Sequence, residues 1–169
     1  MTPSDRDLEA LALKLGRALH VRGWRLCVAE SCTGGWIAKV LTDVAGSSQW
    51  FEGAVVSYSN SAKTELLGVP GDVLTAHGAV SEEAVRAMVE GARTRFAAHV
   101  AVAVSGVAGP GGGTVDKPVG TVYFAWAMSD GLTAARHIFA GSREAVRRQA
   151  VAFALERLID LVRNDERRA

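Results

Sequence analysis

Two short segments of the chain bring together serine, lysine and tyrosine side chains able to pass a proton between them. The first, Ala29-Glu30-Ser31-Cys32-Thr33-Gly34-Gly35, places a hydroxyl and a thiol just ahead of two glycines. Between a strand and a helix, such a segment offers backbone N–H groups and the positive helix end to an anion. It can equally seat a serine nucleophile beside an oxyanion hole built around Thr33–Gly35. The plainer alternative makes Ser31 and Thr33 helix caps and the glycines a tight turn. The second segment, Ser57-Tyr58-Ser59-Asn60-Ser61-Ala62-Lys63, supplies a lysine. Lys63 serves as a general base only when neutral, and burial or a nearby helix N-terminus favours that form. A Ser–Lys pair, with a tyrosine such as Tyr58 relaying or orienting the proton, is an alternative to Ser–His–Asp. Against this stands a solvated Lys63 paired with Glu65.

A third segment, Ser105-Gly106-Val107-Ala108-Gly109-Pro110-Gly111-Gly112-Gly113, is rich in glycine. It matches neither the P-loop order nor GxGxxG followed by a helix. Its backbone can still wrap a phosphate or ribose; the alternative is a flexible surface loop in which Asp116 and Lys117 are solvated charges. Other chemistries are weaker. His20, His77, His99 and His137 are scattered without metal-ligand spacing, so no metal and no cofactor are expected. Only His77 offers a base for a Ser–His–Asp triad, and Cys32 has no evident histidine partner. Arg143, Arg147 and Arg148 open the last helix, where one can reach a phosphate or all can face solvent.

The elements that must position these groups follow from apolar spacing. Leu8, Leu11, Leu15 and Leu19 predict a helix over about residues 4–21, closed by Gly23. Strands are expected at Trp24–Ala29, Phe51–Ser57, Val100–Val104, Thr121–Met128 and Leu132–Phe139, the last two joined by a turn at Ser129-Asp130-Gly131. Val100–Val104 is apolar throughout and reads as the central strand. Helices are expected after Gly35, at Ala62–Leu67, from a Ser81 cap to Ala97, and from a Ser142 cap over Arg143–Val162, with one further turn at Asp72–Ala76. This order predicts a three-layer α/β/α sandwich with a mixed, mostly parallel sheet of about five strands. Chemistry in such sheets sits beyond the carboxyl ends of the strands, where the three polar segments fall.

Length and composition narrow the function classes. The 169 residues suit one domain, 1–169, and 49% hydrophobic with 22% charged residues argues against a disordered chain. Nineteen basic against eighteen acidic residues give a net charge of +1, which speaks against a nucleic-acid partner. The acidic, amphipathic N-terminus does not read as a signal peptide, and no apolar run is long enough to span a bilayer. A cytoplasmic protein without a membrane partner is expected. Cys27 and Cys32 provide no disulfide framework.

AESCTGG (29–35), SYSNSAK (57–63), HGAVSEE (77–83), SGVAGPGGG (105–113) and KPVGTVYFA (117–125) together resemble the CinA C-terminal domain family, in order and spacing. The resemblance runs to GSREAVRRQA (141–150). It implies a nicotinamide mononucleotide deamidase that forms nicotinate mononucleotide and ammonia in pyridine-nucleotide recycling. It also implies Ser31 as nucleophile and Lys63 as base, with Tyr58 assisting. Substrate-binding roles are expected for Thr33, Gly34, Gly35, Ser105, Gly106, Gly109, Gly112 and Arg147. Many relatives carry an additional N-terminal domain that is not expected here. A catalytically silent nucleotide-binding or regulatory module is the main alternative. A competence factor acting on nucleic acid is suggested by the family's historical name alone. Apolar residues left exposed on the helices would favour a homodimer.

Overall fold

The computed structural model describes residues 1–166. Five strands form one sheet: β1 (Leu26–Glu30), β2 (Phe51–Val56), β3 (Val100–Gly106), β4 (Thr121–Met128) and β5 (Gly131–Ile138). Their spatial order is β2-β1-β3-β4-β5, with β1 parallel to both neighbours and β4 antiparallel to β3 and β5. The expected central strand, β3, lies in the middle. Met128 pairs with Gly131, so the hairpin turn is shortened to Ser129-Asp130.

The helices divide between the two faces by the size of the strand residues beneath them. Val100, Val102 and Val104 face one way with Leu26, Val28, Phe124 and Trp126, under α1 (Asp5–Arg22), α2 (Trp36–Thr42) and α6 (Arg143–Glu166). Trp126 donates its indole N–H to Ala154 O of α6 at 3.0 Å, satisfying the one polar atom that this large ring buries. Ala101 and Ala103 face the other way with Cys27, Ala29, Ala125 and Ala127. That small-residue surface lets α5 (Glu82–Phe96) settle closely, and α3 (Asn60–Leu67) and α4 (Gly71–His77) pack beside it.

Caps end the helices where the sequence suggests. Ser4 and Asp7 form a capping box on α1, which stops at left-handed Gly23, and the Ser81 hydroxyl accepts from Ala84 N on α5. The expected single turn at 72–76 is the full helix α4, and α3 begins two residues earlier than expected because Ser59 caps it. At Gly91 of α5, an added Cβ would lie 1.8 Å from Leu67 O. Glycine therefore allows backbone contact between α5 and the carboxyl end of α3, the helix that carries Lys63.

Candidate active site

From β1 the chain moves to β2 on one side, then crosses to β3 on the other. The carboxyl ends of β1 and β3 thus part at a switch point, where α/β sheets open a crevice. A cleft of about 190 Å³ lies there, lined by Ser31, Cys32, Tyr58, Lys63, Ala79, Val80, Ser105, Gly106, Ala108 and Arg143.

Lys63 sits one turn into α3, and its side chain is fully buried. Nζ lies 2.9 Å from Ser31 Oγ and donates to Ser57 O at 2.6 Å, with Tyr58 O at 3.4 Å. Burial pushes its pKa below the ordinary lysine value. Nζ thus faces three oxygen acceptors, two carbonyls and the serine hydroxyl. Among the described residues no carboxylate pairs with Lys63, and Glu65 is exposed.

Ser31 follows β1 directly and extends its ladder, donating its N–H to Val104 O at 3.0 Å. Gly34 and Gly35 then turn the chain with φ of +61° and +92°, a region that costs glycine little and other residues more. Their N–H groups are occupied within the fold. Gly34 donates to Ser31 O, and Gly35 donates to the Glu30 carboxylate, both at 3.0 Å. This corrects the expectation for Gly34 and Gly35, whose amides are not open to a reacting oxygen. Among the described residues, the N–H groups of Cys32 and Thr33 are those of the turn that have no protein acceptor. Thr33 is itself fully buried. The Cys32 thiol is pushed up to about 12 by burial, which removes it as a nucleophile near neutral pH.

The remaining expected residues separate into two groups. Ser105 lines the cleft and donates to Ala79 O at 2.7 Å, fixing the 77–81 loop as one wall. Gly106 also lines it, and a Cβ there would meet Val122 of β4 at 2.7 Å. Tyr58 lines the cleft, but its hydroxyl accepts from Arg143 Nη2 at 3.1 Å and has no bond to Lys63. Gly109 and Gly112 lie outside the cleft lining, although Gly109 O accepts from Arg143 Nη1 at 2.8 Å.

Arg147, expected to meet substrate, instead braces the turn from behind. It donates to Cys32 O at 3.0 Å and Thr33 O at 2.9 Å, and its guanidinium lies over the Trp36 ring. Arg143, one helical turn earlier, is the arginine that reaches the cleft. Lys117 is not a free charge, since it donates to His77 O at 2.8 Å and straps the glycine-rich loop to the opposite wall. Glu30, to which the sequence pattern assigns no role, is fully buried and bonded to the turn and the start of α2. No cluster of three or more His, Cys, Asp or Glu able to hold a metal occurs among the described residues.

Comparison with known proteins adds to this geometry. The family model described as the CinA C-terminal domain matches residues 8–162. The chain belongs to the CinA C-terminal domain family. One relative, "Nicotinamide-nucleotide amidohydrolase PncC" of Escherichia coli (strain K12), is 52% identical over 92% of this chain and 94% of its own length. A protein of the same name from Pseudomonas putida is 51% identical over 91% of this chain and 96% of its own. The crystal structure of a CinA superfamily protein from Klebsiella pneumoniae superposes with a TM-score of 0.90 at 41% identity, covering 93% of this chain and 98% of that one. The five-stranded CinA sheet described above is therefore a shared fold, with the Ser31 turn and the Lys63 helix at its switch point.

Proposed function

We propose that this chain hydrolyses the carboxamide of nicotinamide mononucleotide, giving nicotinate mononucleotide and ammonia, with residues 1–169 acting as one amidohydrolase domain. The observation that carries the reading is the buried Lys63 amine, 2.9 Å from Ser31 Oγ, with no carboxylate among the described residues to hold it charged. Relatives about half identical and named nicotinamide-nucleotide amidohydrolase support the substrate.

In the first step Ser31 Oγ attacks the carboxamide carbon while its proton passes to neutral Lys63. The amide oxygen takes up negative charge facing the Cys32 N–H group. Lys63 then returns the proton to the departing nitrogen, the C–N bond breaks and ammonia leaves. Water attacks the resulting ester, giving its proton to Lys63; the C–O bond to Ser31 breaks and the serine regains a proton. Arg143 is the candidate phosphate partner. Two of its five N–H donors hold Gly109 O and Tyr58, leaving the others for an anion at the cleft. Tyr58 thus acts through Arg143 and the substrate rather than as a proton relay. Recycling of pyridine nucleotides in the cytoplasm is the setting this reaction suits.

The test is ammonia release from nicotinamide mononucleotide by the purified chain in the presence of a chelator. Turnover is expected without added metal. Binding without turnover would instead establish a silent nucleotide-binding module.

A further inference from the structure

Glu30 is a fully buried carboxylate immediately before the serine. Its backbone belongs to the sheet, where its carbonyl accepts from Ser57 N at 2.8 Å. Its side chain reaches forward to the start of α2. Oε2 accepts from Gly35 N at 3.0 Å and Ile37 N at 3.2 Å, and Oε1 accepts from Ala38 N at 2.9 Å. The intervening Trp36 N donates to Thr33 O. Every amide that opens α2 is thereby satisfied from within the chain, although its N-cap, Gly35, has no side chain to do so.

Arg147 holds the other side of the same turn through Cys32 O and Thr33 O. In a trans peptide the carbonyl and the following N–H point in opposite directions. Fixing Cys32 O on the guanidinium therefore fixes the Cys32–Thr33 peptide plane, with Cys32 in the cleft lining and Thr33 and Arg147 outside it.

We propose that Glu30 is a positioning residue. Its carboxylate closes the α2 N-terminus to substrate anions and, opposite Arg147, locks the Ser31 turn so that the Cys32 amide receives the reacting oxygen. The inference rests on the amidase reading above. It assigns the negative charge of the substrate to the Arg143 side of the cleft and leaves the helix end a structural joint.

The test compares wild type with Glu30→Gln and Arg147→Lys, using nicotinamide mononucleotide as substrate well below each variant's melting temperature. Glutamine keeps the shape but turns an NH2 group toward an amide donor. Lysine reaches one carbonyl where arginine reaches two. A misplacement of about 1 Å costs on the order of 10²-fold in rate, so Glu30→Gln should lower kcat by roughly that factor with KM within about twofold. Arg147→Lys should lower kcat in the same sense by about tenfold. The pH profile of Glu30→Gln should keep its wild-type shape at reduced height. Loss of the acid limb would make Glu30 a proton-transfer group and overturn the proposal. So would an unchanged kcat in both variants, or a loss confined to KM. If Glu30→Gln does not fold, the Arg147→Lys result decides alone. A wild-type protein that releases no ammonia would refute the amidase reading itself, a distinct failure.

Discussion

Replacing Lys63 by methionine isolates the proton on which the proposed chemistry turns. Methionine matches the length and flexibility of the lysine stem, so packing around the buried side chain is largely kept. The variant loses the bond to Ser57 O, a cost of about 1–3 kcal/mol for a buried carbonyl left without a donor, and this cost hardly changes with pH. What changes with pH is the wild type. Because burial holds the folded pKa of Lys63 below its unfolded value of 10.5, the unfolded chain binds more protons than the native one between those two values. Wild-type stability must therefore rise with pH across that window, by up to about 1.4 kcal/mol per pH unit from this residue. The Lys63 contribution is flat below the folded pKa and again above 10.5. The methionine variant has no such contribution, and every other titrating group cancels in the difference. For a chain of this size, ~1 kcal/mol shifts Tm by about 2–4 °C. The Tm of wild type minus that of Lys63→Met should thus climb by about 3–5 °C per pH unit through the alkaline window, followed by circular dichroism from pH 6 to 10. A difference that stays constant, or falls as pH rises, would refute a Lys63 whose folded pKa is lowered.

Lys63→Arg should fold yet lose turnover by at least about 10²–10⁴-fold, since a guanidinium stays protonated and cannot take the Ser31 proton; ammonia release reads the result. Tyr58→Phe should raise KM for nicotinamide mononucleotide by up to about tenfold while sparing kcat, because the hydroxyl touches Arg143 and not Lys63. Steady-state kinetics separate the two, and a selective fall in kcat would restore the proton-relay role. Gly91→Ala should destabilise the chain by roughly 1–3 kcal/mol, as its Cβ would drive into Leu67 O at 1.8 Å; a thermal melt measures this.

Much of the site could be read from strand ends alone. The all-apolar Val100–Val104 run placed β3 in the middle, and alternating strands and helices brought the segments after β1, β2 and β3 to one edge. Ser31 and Lys63 meet there because a parallel β1–β2 pair delivers both turns to the same side. What the sequence could not reveal depends on tertiary reach. A glutamate closing a strand carries no local sign that it will satisfy amides five to eight positions ahead, since that depends on how the glycine turn folds back. Arg143 and Arg147 lie one turn apart on the same helix with the same chemistry. Only the packing of α6 decides that the first enters the cleft and the second grips the turn behind it. The direction of the Tyr58 ring likewise depends on the irregular backbone between β2 and α3, where no periodicity applies. One general sign was available. Four lysines against fifteen arginines make each lysine worth asking why an arginine would not do.

The most direct measurement is the rate of ammonia release from nicotinamide mononucleotide by Ser31→Ala beside the wild type. Ser31 Oγ is the only atom lost, and the Lys63 amine keeps Ser57 O as a partner, so the fold should persist. If Ser31 is the nucleophile, the variant should bind the nucleotide and turn it over at least about 10⁴-fold more slowly. A Ser31→Ala protein that releases ammonia at the wild-type rate would contradict the covalent mechanism outright.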